Sequence, residues 1–419
     1  MSVADRALYD VVIVGAGIAG GALAAVLARR GKHVLLLEKT TEHKDRVRGE
    51  YLQPWGVLEL AKLGLLDRVL AAGANVLTRN ISYDEHATPA EAESRMRRFD
   101  TIFEGIPGCL GFSHPRTCDL LNRVAVEAGA TLIRGIRDLR VEPGMPPRIA
   151  FTADDVAHEY HPSLLVGADG RGSQVGRQAG IVMSEDEPHH LFAGLLVQGS
   201  FGWPADTVSI GNAGDYNYFV IPQGSDRARL YLGFERANAS RFAGASGGQR
   251  FLDAFSFSIF PSTVRFADCK PAGPVHTFAN QDYWAETPAA PGVVLVGDAA
   301  GFNDPLAGQG LSIALRDVRL VSELLAGAER GDLQSDEGVL FAPYVEERRE
   351  RMRRLRIAAN ALARLRVEFT PEKKERRKRA LARFASRPEL AATFAIFSQG
   401  PEHASAAAFS PQHITELLA

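Results

Sequence analysis

Asp10-Val-Val-Ile-Val14 runs straight into Gly15-Ala-Gly17-Ile-Ala-Gly20, and the fold is read outward from this stretch. Val11 to Val14 are apolar and β-branched, the pattern of a buried parallel strand. Gly15 allows the tight turn out of it, Gly17 lets a pyrophosphate approach the backbone, and Gly20 lets the next helix pack closely. That helix runs through Ala22-Leu-Ala-Ala-Val-Leu-Ala28 and turns its positive end toward the phosphates. A second strand, His33-Val-Leu-Leu-Leu37, ends in Glu38, about twenty residues past the glycines, where a carboxylate reaches a ribose hydroxyl. Gly15, Gly17, Ala19, Gly20, Glu38 and Lys39 are therefore candidate cofactor contacts. The plain alternative is a glycine turn that holds nothing. Strand, glycines, helix, strand and acid in succession count against it.

At 419 residues the chain exceeds one ordinary core, so two domains are expected. A net charge of −2 gives no general attraction to nucleic acid or anionic membrane, and nucleic acid is not expected as a partner. Cys109, Cys118 and Cys269 make no disulfide framework and suit a reducing compartment. The chain shows no signal-peptide pattern and no apolar run long enough to span a bilayer, so a cytoplasmic protein without an integral membrane segment is expected.

Two further glycine segments lie far downstream: Gly167-Ala-Asp169-Gly170, and Gly297-Asp298 followed by Pro305 and Gly308-Gln309-Gly310. If all three touch one cofactor, the binding domain is discontinuous. The expected organisation is an α/β, Rossmann-like domain in three parts, residues 1–75, 105–180 and 291–343. A substrate domain supplies 76–104 and an antiparallel sheet over 181–290, and a helical region follows over 344–419. Leu191–Val197, Tyr216–Ile221 and Ala228–Phe234 read as strands of that sheet, with one face free to wall a cavity. Met352, Leu355, Ala359, Leu362 and Leu365 recur at helical steps. The opposite face carries Arg348, Arg349, Arg351, Arg353, Arg354 and Arg356, mixed with glutamates, and reads as solvated.

Together the three segments resemble the class A FAD-dependent monooxygenases of the para-hydroxybenzoate hydroxylase-like superfamily. Arg48-Gly-Glu50-Tyr-Leu-Gln-Pro54 is similar to the squalene-epoxidase and prenyl-reductase branches, and Gly301-Phe302-Asn303-Asp304-Pro305 to halogenases. The resemblance implies FAD as cofactor and NADPH or NADH as transient reductant. It also implies O2 activation through a flavin C4a-hydroperoxide and a small organic substrate, aromatic or polycyclic/isoprenoid, that is hydroxylated or epoxidised. It adds Arg46, Arg48, Arg116, Asp169, Asp298, Pro305, Gly308, Gln309 and Gly310 as candidate FAD contacts, with Arg177 behind the DG segment. Asp298 would accept from ribityl hydroxyls. The helix opening at Gly310 would stabilise the anionic pyrimidine edge of reduced flavin.

Tyr51, Trp55, Tyr216, Tyr218 and Phe302 are candidates for the substrate pocket, as is Phe219. Tyr216 and Tyr218 share a strand parity and face one side of the sheet. Many members of the superfamily carry a histidine after the GDAA segment. Here Gly301 stands there, and no catalytic side chain is assigned. A flavin-dependent halogenase and a flavin-dependent reductase of isoprenoid double bonds are the alternatives. Against the halogenase, Asn217 and Phe219 replace its tryptophans and no lysine occurs between Lys62 and Lys270. No metal-ligand cluster is expected, and His189-His190 read as strand-edge residues.

Overall fold

The computed structural model describes residues 9–45, 47, 49–224, 226–328 and 339–419. Val11–Val14 lies inside a six-stranded sheet, parallel to Leu164–Gly167 on one side and Val34–Glu38 on the other. Thr131–Arg134 extends the sheet beyond Val34–Glu38. Val293–Leu295 and the antiparallel Ala289–Ala290 extend it beyond Leu164–Gly167. One sheet thus draws its strands from positions as far apart as Val11 and Leu295. Every residue of the three central strands is buried, as parallel strands covered on both faces must be.

The alternation of side chains divides two cores. Val11, Ile13, Val34 and Leu36 pack under the helices Ile18–Arg29, His114–Glu127 and Gly310–Ala326. Val12, Val14, Leu35 and Leu37 pack instead under a small antiparallel sheet of Arg137–Glu142, Arg148–Ala153 and Val156–Tyr160.

The second large sheet is antiparallel apart from one pairing. It contains the three expected strands, at His190–Gln198, Tyr216–Gly224 and Arg227–Phe234. Thr207–Ala213, His276–Asn280, Lys270–Pro271 and the short strands Arg79–Asn80 and Arg97–Arg98 complete it. The expectation of one free face is not met, because both faces are covered. The outer face carries an aromatic core under the helix Gly247–Ala254. The inner face meets the segment around Val47–Leu52 and the end of the helix Ala342–Arg366.

That helix buries Met352, Leu355, Ala359 and Leu365 as its stripe predicts. Its arginine face departs from the expectation. Arg348 and Arg351 are 1% and 2% exposed, because both reach the fully buried Asp317. Arg348 Nε donates to Asp317 Oδ2 at 3.1 Å and Arg351 Nη2 to Oδ1 at 2.7 Å. The Gly297 N–H donates to the same Oδ2 at 2.9 Å. Arg353 shows the expected behaviour, exposed and paired with Glu350. Among the described residues no helix is long and apolar enough to cross a membrane.

Removing Asp317 strands two buried guanidinium groups. Asp317→Ala should lower the unfolding free energy by about 3–5 kcal/mol, read by urea denaturation. A loss below about 1 kcal/mol would mean the cluster is dispensable.

Candidate functional site: a dinucleotide cradle beside a closed apolar wall

The three glycines of the first turn do different work. Gly15 takes φ +102°, and a Cβ there would lie 2.3 Å from the Ala168 carbonyl oxygen. A Cβ on Gly20 would lie 1.8 Å from the Gly15 carbonyl oxygen. Both are required by the protein's own backbone. A Cβ on Gly17 would meet nothing within 4 Å. Gly17 is the N-cap of Ile18–Arg29, and no side chain caps its free N–H groups. This is a cradle open to an anion at a helix start.

Glu38 ends its strand with the carboxylate turned back to that cradle. Its Oε2 accepts from Ala16 N–H at 2.9 Å and its Oε1 from Thr40 N–H and Oγ1. Burial alone would raise its pKa, but the hydrogen bonds from Thr40 and Ala16 hold it below the ordinary value. Lys39 and Arg116 are exposed, the latter on the first turn of His114–Glu127. Arg46 and Arg48 lie outside the described residues.

The later glycine segments converge on the same place. Ala168 and Asp169 pack against Gly15. Asp169 accepts from Ser173 Oγ and from the Gln174 and Val175 N–H groups, which braces its own loop. Arg177 donates to the Gly172 carbonyl. Gly297 is held between Ala19 and Ala314, with a Cβ position 3.2 Å and 3.4 Å from theirs. Asp298 accepts from Arg171 at 3.4 Å and faces Gly310, where the helix Gly310–Ala326 starts. Pro305 opens a short turn capped by Asp304, and Gly308 takes φ +63° against the Tyr51 ring. Two helix starts, far apart in sequence, thus share one region.

The substrate candidates scatter. Tyr51 is buried on the inner wall, its hydroxyl against Cys109 Sγ and Gln53. Trp55 is 1% exposed and turned to the C-terminal helices, its Nε1 donating to Gln309 Oε1 at 2.8 Å. Gln309 in turn donates to the Ala307 and Phe397 carbonyls, so its side chain is an anchor and only its backbone faces the helix start. Tyr216 and Tyr218 do share a face, but it is the outer one. Tyr218 is fully buried among Phe255, Phe257 and Phe260. Alternation gives the inner wall to Phe219 and Ile221, beside Phe192, Tyr231 and Phe278. Phe302 stacks on Tyr283 and under Arg171, away from that wall.

The family described as FAD binding domain matches residues 8–358. The chain belongs to this family. It is 25% identical to squalene monooxygenase of Mus musculus over 342 residues, which is 80% of this chain and 57% of the mouse protein. It is 28% identical to 6-methylpretetramide 4-monooxygenase of Streptomyces rimosus over 369 residues, 84% of each chain. The fold matches p-nitrophenol 4-monooxygenase of Pseudomonas putida with a TM-score of 0.77, at 15% identity over 94% of this chain and 97% of that one. It matches a flavin-dependent halogenase with a TM-score of 0.74, at 18% identity over 97% and 76%.

This member of the FAD-binding family also buries two charged groups whose partners its motifs do not announce. In the first, Arg229 Nε and Nη2 donate to Glu50 at 3.0 and 2.5 Å, Nη2 also reaches Asp45, and Tyr231 O–H donates to Glu50 at 2.7 Å. Burial opposes the charge on Arg229, but Glu50, Tyr231 and Asp45 outweigh it and raise its pKa. Burial pulls Glu50 toward protonation. With three donors on its two oxygens, the carboxylate is the form the geometry supports. The signal in sequence was an arginine inside the apolar strand Arg227–Phe234, which obliges a buried carboxylate partner.

In the second, His189 and His190 are not plain strand-edge residues. Their Nδ1 atoms lie 2.8 Å apart, and His189 and His190 Nε2 face Asp304 at 3.4 and 3.6 Å. Asp282 Oδ1 accepts from Asp304 N–H at 2.8 Å. Burial pushes the Asp282 carboxyl up to about 7, aided by Asp304 and Asp186 and opposed by the Asp304 N–H and Arg356. Burial likewise pushes Asp304 up to about 6.

Both acids hold their protons in the folded chain at pH values where the unfolded chain has lost them. Their contribution is complete below the ordinary carboxyl pKa and fades as pH rises through about 6 to 7. Asp282→Asn keeps the acceptor but removes the titration. It should shrink the stability difference between pH 5 and pH 8 by on the order of 2 kcal/mol, measured by urea unfolding at both pH values. An unchanged difference would show that Asp282 titrates normally.

Proposed function

We propose that the protein is an FAD-dependent monooxygenase that draws two electrons from NADH or NADPH and places one oxygen atom of O2 into an apolar organic substrate. The observation that carries this reading is the meeting of the two helix starts, Ile18 and Gly310, at the contact of Gly297 with Ala19 and Ala314. Gly15, Gly17, Gly20 and the first N–H groups of Ile18–Arg29 would hold the pyrophosphate, and Glu38 would accept from a ribose. Asp298 would accept from ribityl hydroxyls, and Gln309 and Gly310 would present backbone N–H groups to the pyrimidine edge, the Gly308 N–H being taken by the Pro305 carbonyl. Bound there, a flavin supplies electron storage and the activation of O2.

The rest of the work belongs to the chain. The wall of Phe192, Phe219, Ile221, Tyr231 and Phe278, closed by Leu362, Val367 and Phe369, excludes water from the reacting centre. Glu50, locked by Arg229 and Tyr231, fixes the strand bearing the wall against the Val47–Leu52 segment. One complete dinucleotide fingerprint in the chain supports a nicotinamide that binds transiently rather than in a domain of its own. The squalene and 6-methylpretetramide named for the relatives support an apolar substrate of ring or isoprenoid type.

Gly17 and Gly20 separate ligand from fold. Gly17→Ala should leave the unfolding temperature of flavin-free protein within about 2 °C and weaken FAD binding at least about tenfold by fluorescence titration. Gly20→Ala should destabilise the flavin-free protein as well, because its Cβ collides with backbone. Equal FAD affinity in Gly17→Ala would remove Gly17 from the cofactor site.

The activity itself is tested with purified, flavin-loaded protein, following NAD(P)H oxidation and O2 uptake against apolar aromatic and isoprenoid compounds. Substrate-stimulated consumption of both, with an oxygenated product formed without halide, is expected. Product that requires bromide or chloride would make it a halogenase. Product formed without O2 would make it a reductase.

A further inference from the structure

A chain of polar contacts runs from the antiparallel sheet to the loop that carries Pro305. The Asn280 side-chain oxygen faces the Phe192 N–H at 3.2 Å and His190 Nε2 at 3.1 Å. His190 Nδ1 lies 2.8 Å from His189 Nδ1, and His189 Nε2 lies 3.4 Å from Asp304 Oδ2. An amide oxygen only accepts, so His190 Nε2 carries a hydrogen. Burial pulls the His190 pKa well down and keeps the ring neutral, so its Nδ1 holds a lone pair. That lone pair must accept from His189 Nδ1–H. A neutral His189 then has no hydrogen left for the Asp304 contact. Asn280 to Nε2, Nδ1 to Nδ1 and Nε2 to Oδ2 are three contacts, and two neutral imidazoles bring only two hydrogens.

The third hydrogen therefore belongs to His189 and Asp304 jointly, as imidazolium with carboxylate or as imidazole with carboxylic acid. His189 is open to solvent, whereas Asp304 is 1% exposed. Among the described residues no other donor reaches Asp304 Oδ2. Of the charged groups around the pair, Arg171 favours the Asp304 carboxylate. Asp282, which accepts from the Asp304 N–H, stands between Asp186 and Arg356 in sign. Burial outweighs His189, Arg171 and the Leu306 N–H and favours the protonated acid.

Asp304 has a second task. Its Oδ1 accepts from Leu306 N–H at 2.9 Å and caps the Pro305–Ala307 turn. That turn ends at Gly308 on the Tyr51 ring, directly before Gln309 and the helix start at Gly310. Losing the third hydrogen sets an imidazole lone pair against a buried carboxylate, and so works against the residue that caps the turn. The closed turn binds this proton more tightly than a loosened turn, in which Asp304 meets water. Its hold is complete at acid pH and weakens as pH rises through and beyond about 6.

We propose that the proton shared by His189 and Asp304 is a latch on the turn leading to Gly310, so that the protein holds FAD tightly at acid pH and more weakly at alkaline pH. This rests on the seat proposed above for FAD at Gln309 and Gly310. Asp304 is a positioning residue here, acting on the cofactor through the turn it caps.

Flavin-free full-length protein is titrated with FAD by fluorescence at steps from pH 5.5 to pH 8.5. The Kd for FAD should rise at least about fivefold across that range, with a slope of at most about one decade per pH unit for a single proton. Asp304→Asn keeps an oxygen to cap Leu306 and offers His189 Nε2 a hydrogen that does not titrate. His189→Gln, at an exposed position, likewise offers Asp304 a fixed N–H. In both variants the Kd should change less than about twofold over the range and stay near the wild-type value at pH 5.5. A flat Kd in the wild-type protein overturns the inference alone. So does an undiminished rise in Asp304→Asn, or in His189→Gln if Asp304→Asn does not fold. Absence of FAD binding at every pH overturns the cofactor reading and this inference with it.

Discussion

A single buried carboxylate holds the molecule's parts in register. Asp317 accepts from the Gly297 N–H, Arg348 and Arg351, and so joins the Gly297–Ala299 turn, the Gly310–Ala326 helix and the Ala342–Arg366 helix at one point. Two guanidinium groups and a carboxylate out of water are stable only with this degree of mutual satisfaction. Arg348 also donates to the Gly301 carbonyl, one strand further along the same loop. A second cluster repeats the device nearby, with Glu59 accepting from Arg316 and Arg319. The loop that would meet the flavin is thus braced from behind by charge. Gly297 lets it pack on Ala19 and Ala314, and Gly308 lets it pack on the Tyr51 ring.

The antiparallel sheet obeys a different constraint, that of alternation. Its central strands are buried on both faces, so hydrophobicity alone does not say which residue faces which side. Phe219 and Tyr218 are adjacent and both fully or nearly fully buried, but they serve separate cores. The outer core is aromatic, and its polar tips find partners: Tyr218 exchanges hydrogen bonds with Tyr83 and Ser209, and Trp203 Nε1 donates to the Thr207 carbonyl. The inner core is apolar around a locked Glu50–Arg229 pair. That division gives the sheet two separate cores, one packed on Val47 and Tyr51 and the other under the helix Gly247–Ala254.

The cofactor half was legible because its physics is local. A glycine that the backbone itself demands, as at Gly15 and Gly20, is visible as a spacing, and the strand before it as a run of β-branched residues. The substrate half was not, because it depends on pairings across long separations. Trp55, Tyr216, Tyr218 and Phe302 are aromatic and near the right segments, yet each faces another element. Glu50 lies in a stretch similar to the squalene-epoxidase branch, but its buried partner Arg229 carries no motif. Only the oddity of an arginine in an apolar strand hinted at the pair.

The amino-acid sequence by itself determined an α/β sheet with a dinucleotide turn, three glycine segments of one FAD-binding family and a helical C-terminal region. Each follows from periodicity or from a backbone shape that glycine alone permits. Tertiary structure decided which face of the second sheet looks inward and which arginines of the last helices are buried on Asp317. Those outcomes depend on the register of strands and helices brought together from distant positions, and a shift of one residue reverses them.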